Sequence, residues 1–194
     1  MKIRTFTTLT IFAAILFQSI FAFETDQFNL PPEPLADIGF EVTDYVESVV
    51  LKSVEKVNAE IAEREKCLAD PQKDCDSTKK NQEKLKFLRS DEAVAKEINK
   101  VLGSGFIPYT SSGSWLENHQ FKAQPARFKP GYKQSIFVFF PTSYFELAST
   151  IKMYDAQFGT DKIAHFFREG HGYFKNYKKA IGKGLNEAQA IEKA

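Results

Sequence analysis

The residues of this chain with the strongest potential for chemistry lie between Gly159 and Tyr173. Asp161 and His165 are four positions apart, so on a helix they stand one turn apart on the same face. A carboxylate there accepts the imidazole N–H and fixes the histidine tautomer, as a general base or a metal-ligating histidine requires. Glu169, one further turn along, adds an oxygen ligand to this face. The spacing indicates a general-base pair, or a divalent metal site completed from elsewhere, with His119 as a candidate ligand.

The same spacing is also typical of a solvated helix face. The opposite face of this helix is apolar: Ile163, Phe166, Phe167, Gly170, Phe174 and Tyr177. The sequence contains no Gly-x-Ser-x-Gly, no phosphate-binding glycine loop and no His-Glu-x-x-His. We therefore expect no cofactor, with a divalent metal ion as the alternative, and the sequence leaves enzymatic activity open.

A short signature within this segment resembles a known family. Asp161-Lys162-x-x-His165-Phe166 resembles the D-K-x-x-H-F signature of VanZ-like bacterial membrane proteins and of some predicted periplasmic lipoproteins. The resemblance implies a cell-envelope setting and a functional role for Asp161, Lys162 and His165, without an established reaction. VanZ-like proteins have several membrane spans and lipoproteins carry an anchoring cysteine, and this sequence has neither pattern.

The N-terminal segment, residues 1–22, has the order of a secretory signal. Lys2 and Arg4 precede an apolar stretch, and the small residue Ala22 provides a cleavage point. We predict export to the periplasm or medium, with an uncleaved N-terminal membrane anchor as the alternative. Without these residues, 24 basic and 25 acidic side chains remain, a net charge of −1. Such a balance argues against a nucleic-acid-binding protein, and no second apolar run predicts a transmembrane span in the mature chain.

The charge and the aromatic residues are unevenly distributed along the mature chain. Residues 23–100 hold 18 acidic and 12 basic side chains, whereas residues 101–194 hold 7 acidic and 12 basic. The second part also contains 18 aromatic residues. This asymmetry favours either two surfaces for separate partners or an acidic half packed on a basic half. An envelope protein and an anionic lipid surface are the partners we expect.

The pattern predicts a mainly α (α+β) fold: an N-terminal antiparallel helical hairpin, a loop and short-strand segment, and a C-terminal helical region. Residues 23–35 read as an extended proline-rich leader. Residues 36–102 read as the hairpin, with a second helix capped by Asp76, a restart or bend at Ser90 and a stop at Gly103. Residues 103–194 read as an aromatic-rich α+β region that we expect to continue beyond Ala194.

Within this last region the pattern predicts four elements. Residues 134–140 are apolar and β-branched, which predicts a buried strand. Residues 142–158 favour a helix, although 150–155 also alternate as a strand would. Thr160 is expected to cap a helix that runs to Ala180, and Asn186 or Leu185 to open another. Trp115 beside Ser111–Ser114 predicts a core anchor or, alternatively, a ligand platform.

Aromatic and cationic residues alternate near the end of the helix that starts after Thr160. Tyr173, Phe174 and Tyr177 are interleaved with Lys175 and other lysines. The pattern favours an aromatic stripe that faces the core, including Phe166 and Phe174, with a solvated lysine face. It also predicts weak, salt-sensitive association with membranes.

These observations favour an exported bacterial cell-envelope protein that works as a non-catalytic interaction module. The alternative is an envelope hydrolase or metal-binding protein in which His165 is the base or ligand, oriented by Asp161, while Lys162 binds an anionic group. The sequence does not distinguish a reaction.

The cysteines supply a first testable prediction. Cys67 and Cys75 form the only pair, eight residues apart in a polar turn, and in an oxidising compartment we expect them to be bridged. Closing this loop would stabilise the fold by about 2–3 kcal/mol. Thiol titration of the denatured, unreduced mature protein should detect no free thiol. Two free thiols would contradict the bridge.

Overall fold

A computed structural model describes residues 25–26, 28–70, 78–103, 115–136, 138–139 and 147–194. The predicted signal segment 1–22, Cys75, the proposed cap Asp76 and Ser111–Ser114 lie outside the described residues. The described part is mainly helical, with a two-stranded antiparallel sheet and a helical C-terminal region, as the sequence predicts. None of its helices is both long and apolar enough to cross a bilayer.

The chain divides into two compact units. One, here called the strand unit, takes the described residues of 1–38 and 105–161. The other, the helical unit, takes those of 39–104 and 162–194. The C-terminal helices therefore group with the hairpin and not with the loop and strand segment that precedes them in sequence.

The helical unit contains the predicted hairpin. Helix α1 spans Gly39–Ala69, and α2 (Thr78–Leu88) and α3 (Asp91–Ile98) return along it. Their apolar faces meet in a cluster of Val57, Leu88 and Ala93. Valine has a low helix propensity, so α1 depends on this packing for its stability. Ser90 lies at the start of α3, which confirms a fresh helix at this point.

Polar side chains join the arms of the hairpin around this cluster. Arg64 Nη1 donates to Asn81 Oδ1 at 2.7 Å, and Lys56 Nζ donates to Glu97 Oε2 at 2.7 Å. The second pair is largely exposed on its lysine side, so it adds little to stability. Lys100 and Lys56 hold the pKa of Glu97 below its usual value through hydrogen bonds and charge. The apolar cluster, not the ion pairs, therefore holds the hairpin together.

The first helix of the C-terminal region, α5 (Asp161–Gly182), runs antiparallel to α3 and to the π-helical turn Asn99–Gly103. A Cβ on Gly103 would lie 3.1 Å from the backbone nitrogen of Arg168. One end of α3 carries Asp91, which forms an ion pair of 3.1 Å with Lys178. These two contacts seat α5 against the hairpin.

The last helix, α6 (Glu187–Lys193), begins at a capping box. The Asn186 side chain accepts from the backbone N–H of Gln189 at 3.0 Å, and the Gln189 side chain accepts from the N–H of Asn186. Ala190 on α6 and Ala180 on α5 are buried. The prediction that Asn186 opens a helix is confirmed.

One face of α5 differs from the prediction. Phe166 is 72% exposed and Tyr173 is 61% exposed, whereas Phe174 and Tyr177 are partly buried. The core assignment of Phe166 is therefore wrong, because α5 turns the face bearing His171 and Lys178 towards α3. An apolar stripe shows that a helix has a preferred face, but it does not say which partner covers it.

The strand unit is built around a β-hairpin. Strands β1 (Thr150–Met153) and β2 (Ala156–Gly159) pair antiparallel, with Met153 opposite Ala156. The two turn residues, Tyr154 and Asp155, have φ angles of 49° and 66°, as a type I′ turn requires. The preferred helix over 142–158 is thus wrong for residues 150–158, and the alternation of 150–155 is the better guide. Residues 141–146 lie outside the described residues.

The strand predicted at 134–140 is also wrong for its described residues. Tyr132–Gln134 form a 3₁₀ turn, and Ser135 N donates to Gly131 O at 3.1 Å. Ile136 N donates to the Asp26 carboxylate instead of a neighbouring strand. Among the described residues of this apolar run, Ile136 and Phe139 are exposed, which differs from the expected burial.

Residues 35–38, at and after the end of the predicted proline-rich leader, pack on the β-hairpin. Leu35 and Ile38 are buried, and Ile38 N donates to Lys152 O at 3.0 Å. Asp37 accepts the N–H of Asp155 at 3.0 Å and so holds the turn. The β-hairpin thus packs against residues 35–38, which contribute part of the core of the strand unit.

We expect Gly159→Ala to destabilise the strand unit. A Cβ at this position would lie 1.5 Å from Thr25 Oγ1 and 2.3 Å from Asp161 Oδ1. Such overpacking costs about 1–3 kcal/mol. A lower urea midpoint, followed by the fluorescence of Trp115 in the same unit, is the expected result. The control is Gly170→Ala on α5, where no atom lies within 4 Å and stability should rise by about 0.5–1 kcal/mol. Equal effects of the two variants would contradict this packing.

Candidate functional site

The first residue of α5, Asp161, is buried and holds Thr25. Its Oδ1 atom accepts a hydrogen bond of 3.0 Å from Thr25 Oγ1. Both residues belong to the strand unit, together with Gly159, which makes room for the contact. A carboxylate in the first helical turn is also stabilised by the helix dipole. Asp161 therefore has a structural task at the position where the signature places a catalytic group.

The residue before it, Thr160, belongs to a second carboxylate cluster that the sequence does not predict. Glu117, on the short helix α4 (Trp115–Asn118), accepts from Ser149 N at 3.0 Å and from Ser149 Oγ at 2.8 Å. The Thr160 hydroxyl donates to the same carboxylate. Glu117 is remote in sequence from both partners and follows no motif, so only the fold reveals the cluster. It joins α4, the start of β1 and the end of β2.

The described partner of the His165 ring is an arginine. Arg168 Nη2 lies 2.9 Å from His165 Nδ1. A guanidinium can only donate, so Nδ1 accepts and the proton of a neutral ring resides on Nε2. His165 and Lys162 are both partly buried and belong to the helical unit, whereas Asp161 belongs to the strand unit. The predicted orientation of His165 by Asp161 stays a prediction.

The proposed metal ligands each have another described neighbour, and the metal site stays a prediction. Within the described ranges, no group of three or more His, Cys, Asp or Glu side chains is arranged to hold a metal ion. Glu169 lies 3.6 Å from Arg168 and is largely exposed. His119 stacks on Trp115 with ring centroids 4.2 Å apart. The metal hypothesis for Asp161, His165 and Glu169 thus gains no support from the geometry.

Trp115 forms part of an aromatic group in the strand unit. Phe121 meets Trp115 edge to face at 5.5 Å, and the Arg127 guanidinium lies over the Phe121 ring. Arg127 also donates to the carbonyl of Leu116, within α4, and to that of His119, directly after it. The rings pack on one another, which agrees with a core anchor. The platform that would include Ser111–Ser114 lies outside the described residues.

His171 lies outside the signature, and its environment is more unusual than that of His165. Its Nδ1 atom is buried without a hydrogen-bond partner on the side of α5 that faces α3. Burial lowers the pKa of His171, and the charges of Lys175 and Lys96 lower it further. The ring is therefore held neutral between a lysine of its own helix and a lysine of α3. Sequence spacing could not show this, because Lys96 comes from another element.

Cys67 lies near the end of α1 and is partly buried. The described residues contain no free cysteine. The proposed partner Cys75 lies outside them, so the bridge stays a prediction.

Comparisons with known proteins add no relatives. No protein-family model matches the chain, and no curated protein or solved structure matches it either. The resemblance to VanZ-like proteins therefore rests on the short signature alone.

We expect the stability of the helical unit to fall as the pH drops from 8 to 5.5. The folded pKa of His171 lies below its unfolded value of about 6.5, so the unfolded chain binds the proton first. Stability is then complete above that value and is lost progressively below it. Urea unfolding followed by helical circular dichroism should show this loss in the wild type and a smaller one in His171→Gln.

His165→Gln is the matched control for this titration, because it removes a histidine of the same helix whose Nδ1 is paired. It should keep the wild-type pH dependence. If His165→Gln removes the dependence and His171→Gln does not, the assignment to His171 is wrong.

Proposed function

We propose that this chain is an exported protein of the bacterial cell envelope, located in the periplasm or secreted, that works as a non-catalytic interaction module. The observation that carries the proposal is the exposed aromatic face of α5. Phe166 and Tyr173, seven residues apart, stand on one side of the helix with Gly170 between them. Large apolar side chains that are clustered and exposed are typical of contact surfaces.

The polar residues of the candidate site support this interpretation. Asp161 and Glu117 accept hydrogen bonds that hold the strand unit together, and His165 Nδ1 is occupied by Arg168. A general base needs a nitrogen that faces the substrate. The described hydrogen bonds of these groups are instead to other residues of the protein. The hydrogen bonds of Asp161 and His165 described above do not by themselves support the hydrolase or metal-binding alternative, which uses Asp161, Lys162 and His165.

Lys175, on the other side of α5, provides an internal comparison. Lys175 is exposed and lies nine residues from Phe166, half a turn around the helix. A partner that binds the aromatic face should leave Lys175 in solvent. We expect this partner to be an envelope protein, because aromatic side chains provide much of the binding energy of protein interfaces.

Photo-crosslinking from single positions on α5 tests the proposal. A benzoyl-phenylalanine placed at Phe166 or Tyr173 in the native cell should give a discrete protein adduct, and one at Lys175 should give none. The double variant Phe166→Ser with Tyr173→Ser should reduce by at least tenfold the adduct formed from a probe at Gly170, because two anchors are lost. Equal adducts from both faces, or none from Phe166, would contradict the assignment of this surface.

The enzyme alternative has its own test. If His165→Ala stays folded and loses a bound metal ion or an activity, while crosslinking from Phe166 is unchanged, the non-catalytic module is wrong. We expect that His165→Ala changes neither the metal content nor any activity, and that the double variant loses the adduct.

A further inference from the structure

The strand unit carries an exposed apolar patch that neither the sequence patterns nor the proposed function assigns. Its members are Phe28, Leu30, Tyr132, Ile136 and Phe139. Phe28 is 80% exposed, Leu30 77% and Phe139 84%. We propose that this patch seats the strand unit on the surface of an anionic lipid bilayer.

The patch is assembled by one buried carboxylate. Asp26 accepts from Phe28 N at 3.2 Å, from Asn29 Nδ2 at 2.8 Å and from Ile136 N at 3.1 Å. Asn29 Nδ2 also donates to Gln134 O at 2.9 Å. Two segments more than 100 residues apart are thus tied together at the positions that carry the apolar side chains. Burial acts to raise the pKa of Asp26, and these hydrogen bonds outweigh it, so the carboxylate is ionised at neutral pH.

The patch is too large to be ordinary surface scatter. A large aromatic side chain presents on the order of 150–250 Å², so five members at these exposures approach about 500 Å². Patches of that size on a monomer are often functional. Because these hydrogen bonds already fix the backbone, binding has to order only the side chains of the patch.

The charge around the patch selects the occupant. Tyr132, Ile136 and Phe139 lie in a stretch from Asn118 to Phe145 that contains no acidic residue and carries Lys122, Arg127, Lys129 and Lys133, whereas the segment of Phe28 and Leu30 carries one exposed acidic residue, Glu33. Lys133 lies within the 3₁₀ turn, directly after Tyr132, and its side chain is exposed. Aromatic and aliphatic side chains beside lysines are the chemistry of interfacial binding, with rings at headgroup depth and cations on anionic phosphates. A protein interface would favour fewer lysines around its apolar centre.

The position of the patch in the chain agrees with this occupant. Phe28 follows the apolar N-terminal stretch, which ends at Phe23, by five residues, a reach of about 17 Å at most. An uncleaved anchor would therefore hold the patch at the bilayer surface. A cleaved chain would still meet that surface after export.

Lipid quenching at single tryptophans tests the proposal on the exported protein. The chain has one tryptophan, Trp115, so the wild type gives the background signal. Phe28→Trp and Phe139→Trp each place a probe in the patch, and Phe166→Trp places an equally exposed probe on α5 of the helical unit. With vesicles of one-third phosphatidylglycerol that contain brominated acyl chains, we expect quenching and a blue shift at positions 28 and 139 but not at 166.

Binding measurements then separate the contributions. In vesicle sedimentation, Phe28→Ser with Phe139→Ser should lower the partition coefficient at least tenfold, and Lys133→Gln should lower it about fivefold. Phe166→Ser with Tyr173→Ser should leave it unchanged, so failure of the α5 proposal does not affect this one. Circular dichroism checks that each variant folds.

Three results would overturn the inference. The first is quenching at position 166 with none at 28 and 139, and the second is equal binding of the patch variant and the wild type. The third is a concentration-dependent dimer, seen by light scattering and dispersed by Phe28→Ser with Phe139→Ser, which would make a second copy the occupant.

Discussion

Glu117 and Asp161 are two buried or partly buried carboxylates, and the organisation of the strand unit depends on the hydrogen bonds that they accept. Glu117 holds Ser149 before β1 and Thr160 after β2, so one side chain fixes both ends of the hairpin. Asp161 holds Thr25 across the close approach at Gly159. A buried carboxylate without hydrogen-bond partners lowers the stability of the fold. Removal of a donor to Glu117 or Asp161 would therefore destabilise the strand unit. The signature residue Asp161 therefore has a structural role within the strand unit.

The helices could be predicted from the sequence because their information is local. The valine stripe of α1, the restart at Ser90, the stop at Gly103 and the cap at Asn186 each depend on residues within a few turns. The β-hairpin was missed because its turn, Tyr154-Asp155, lacks the Asn-Gly or Asp-Gly pair that usually marks a type I′ turn. Asp37, 118 residues away, holds this turn by accepting the N–H of Asp155. The strand predicted at 134–140 is wrong for the same reason, because the contact that decides it is remote in sequence. The backbone N–H of Ile136 donates to Asp26 and not to a neighbouring strand.

The candidate site shows the same limit of local information. The Asp161–His165 spacing correctly predicts a helix, but it does not indicate that Asp161 accepts a hydrogen bond from Thr25, 136 residues away. Lys96 lowers the pKa of His171 from another helix, and Glu117 has no motif at all. The exposure of a side chain also depends on residues that are remote in sequence. Phe166 and Phe174 belong to one apolar stripe, but the element that packs on the helix determines which ring is buried. The periodicity of the sequence therefore predicts which residues share a face of a helix. Tertiary contacts determine whether that face is buried or exposed.

The π-helical turn Asn99–Gly103 gives the helical unit a constraint on length. Such a turn holds one residue more than an α-helical turn, so it is equivalent to a single-residue insertion at the end of α3. Deleting one residue there would restore the α-helical register and rotate Gly103 by about 100° around the axis. The side chain brought to that position would face the backbone of Arg168, where even a Cβ on Gly103 would lie at 3.1 Å. Related chains should therefore vary freely at the exposed Val101 and conserve the number of residues between Ile98 and Gly103.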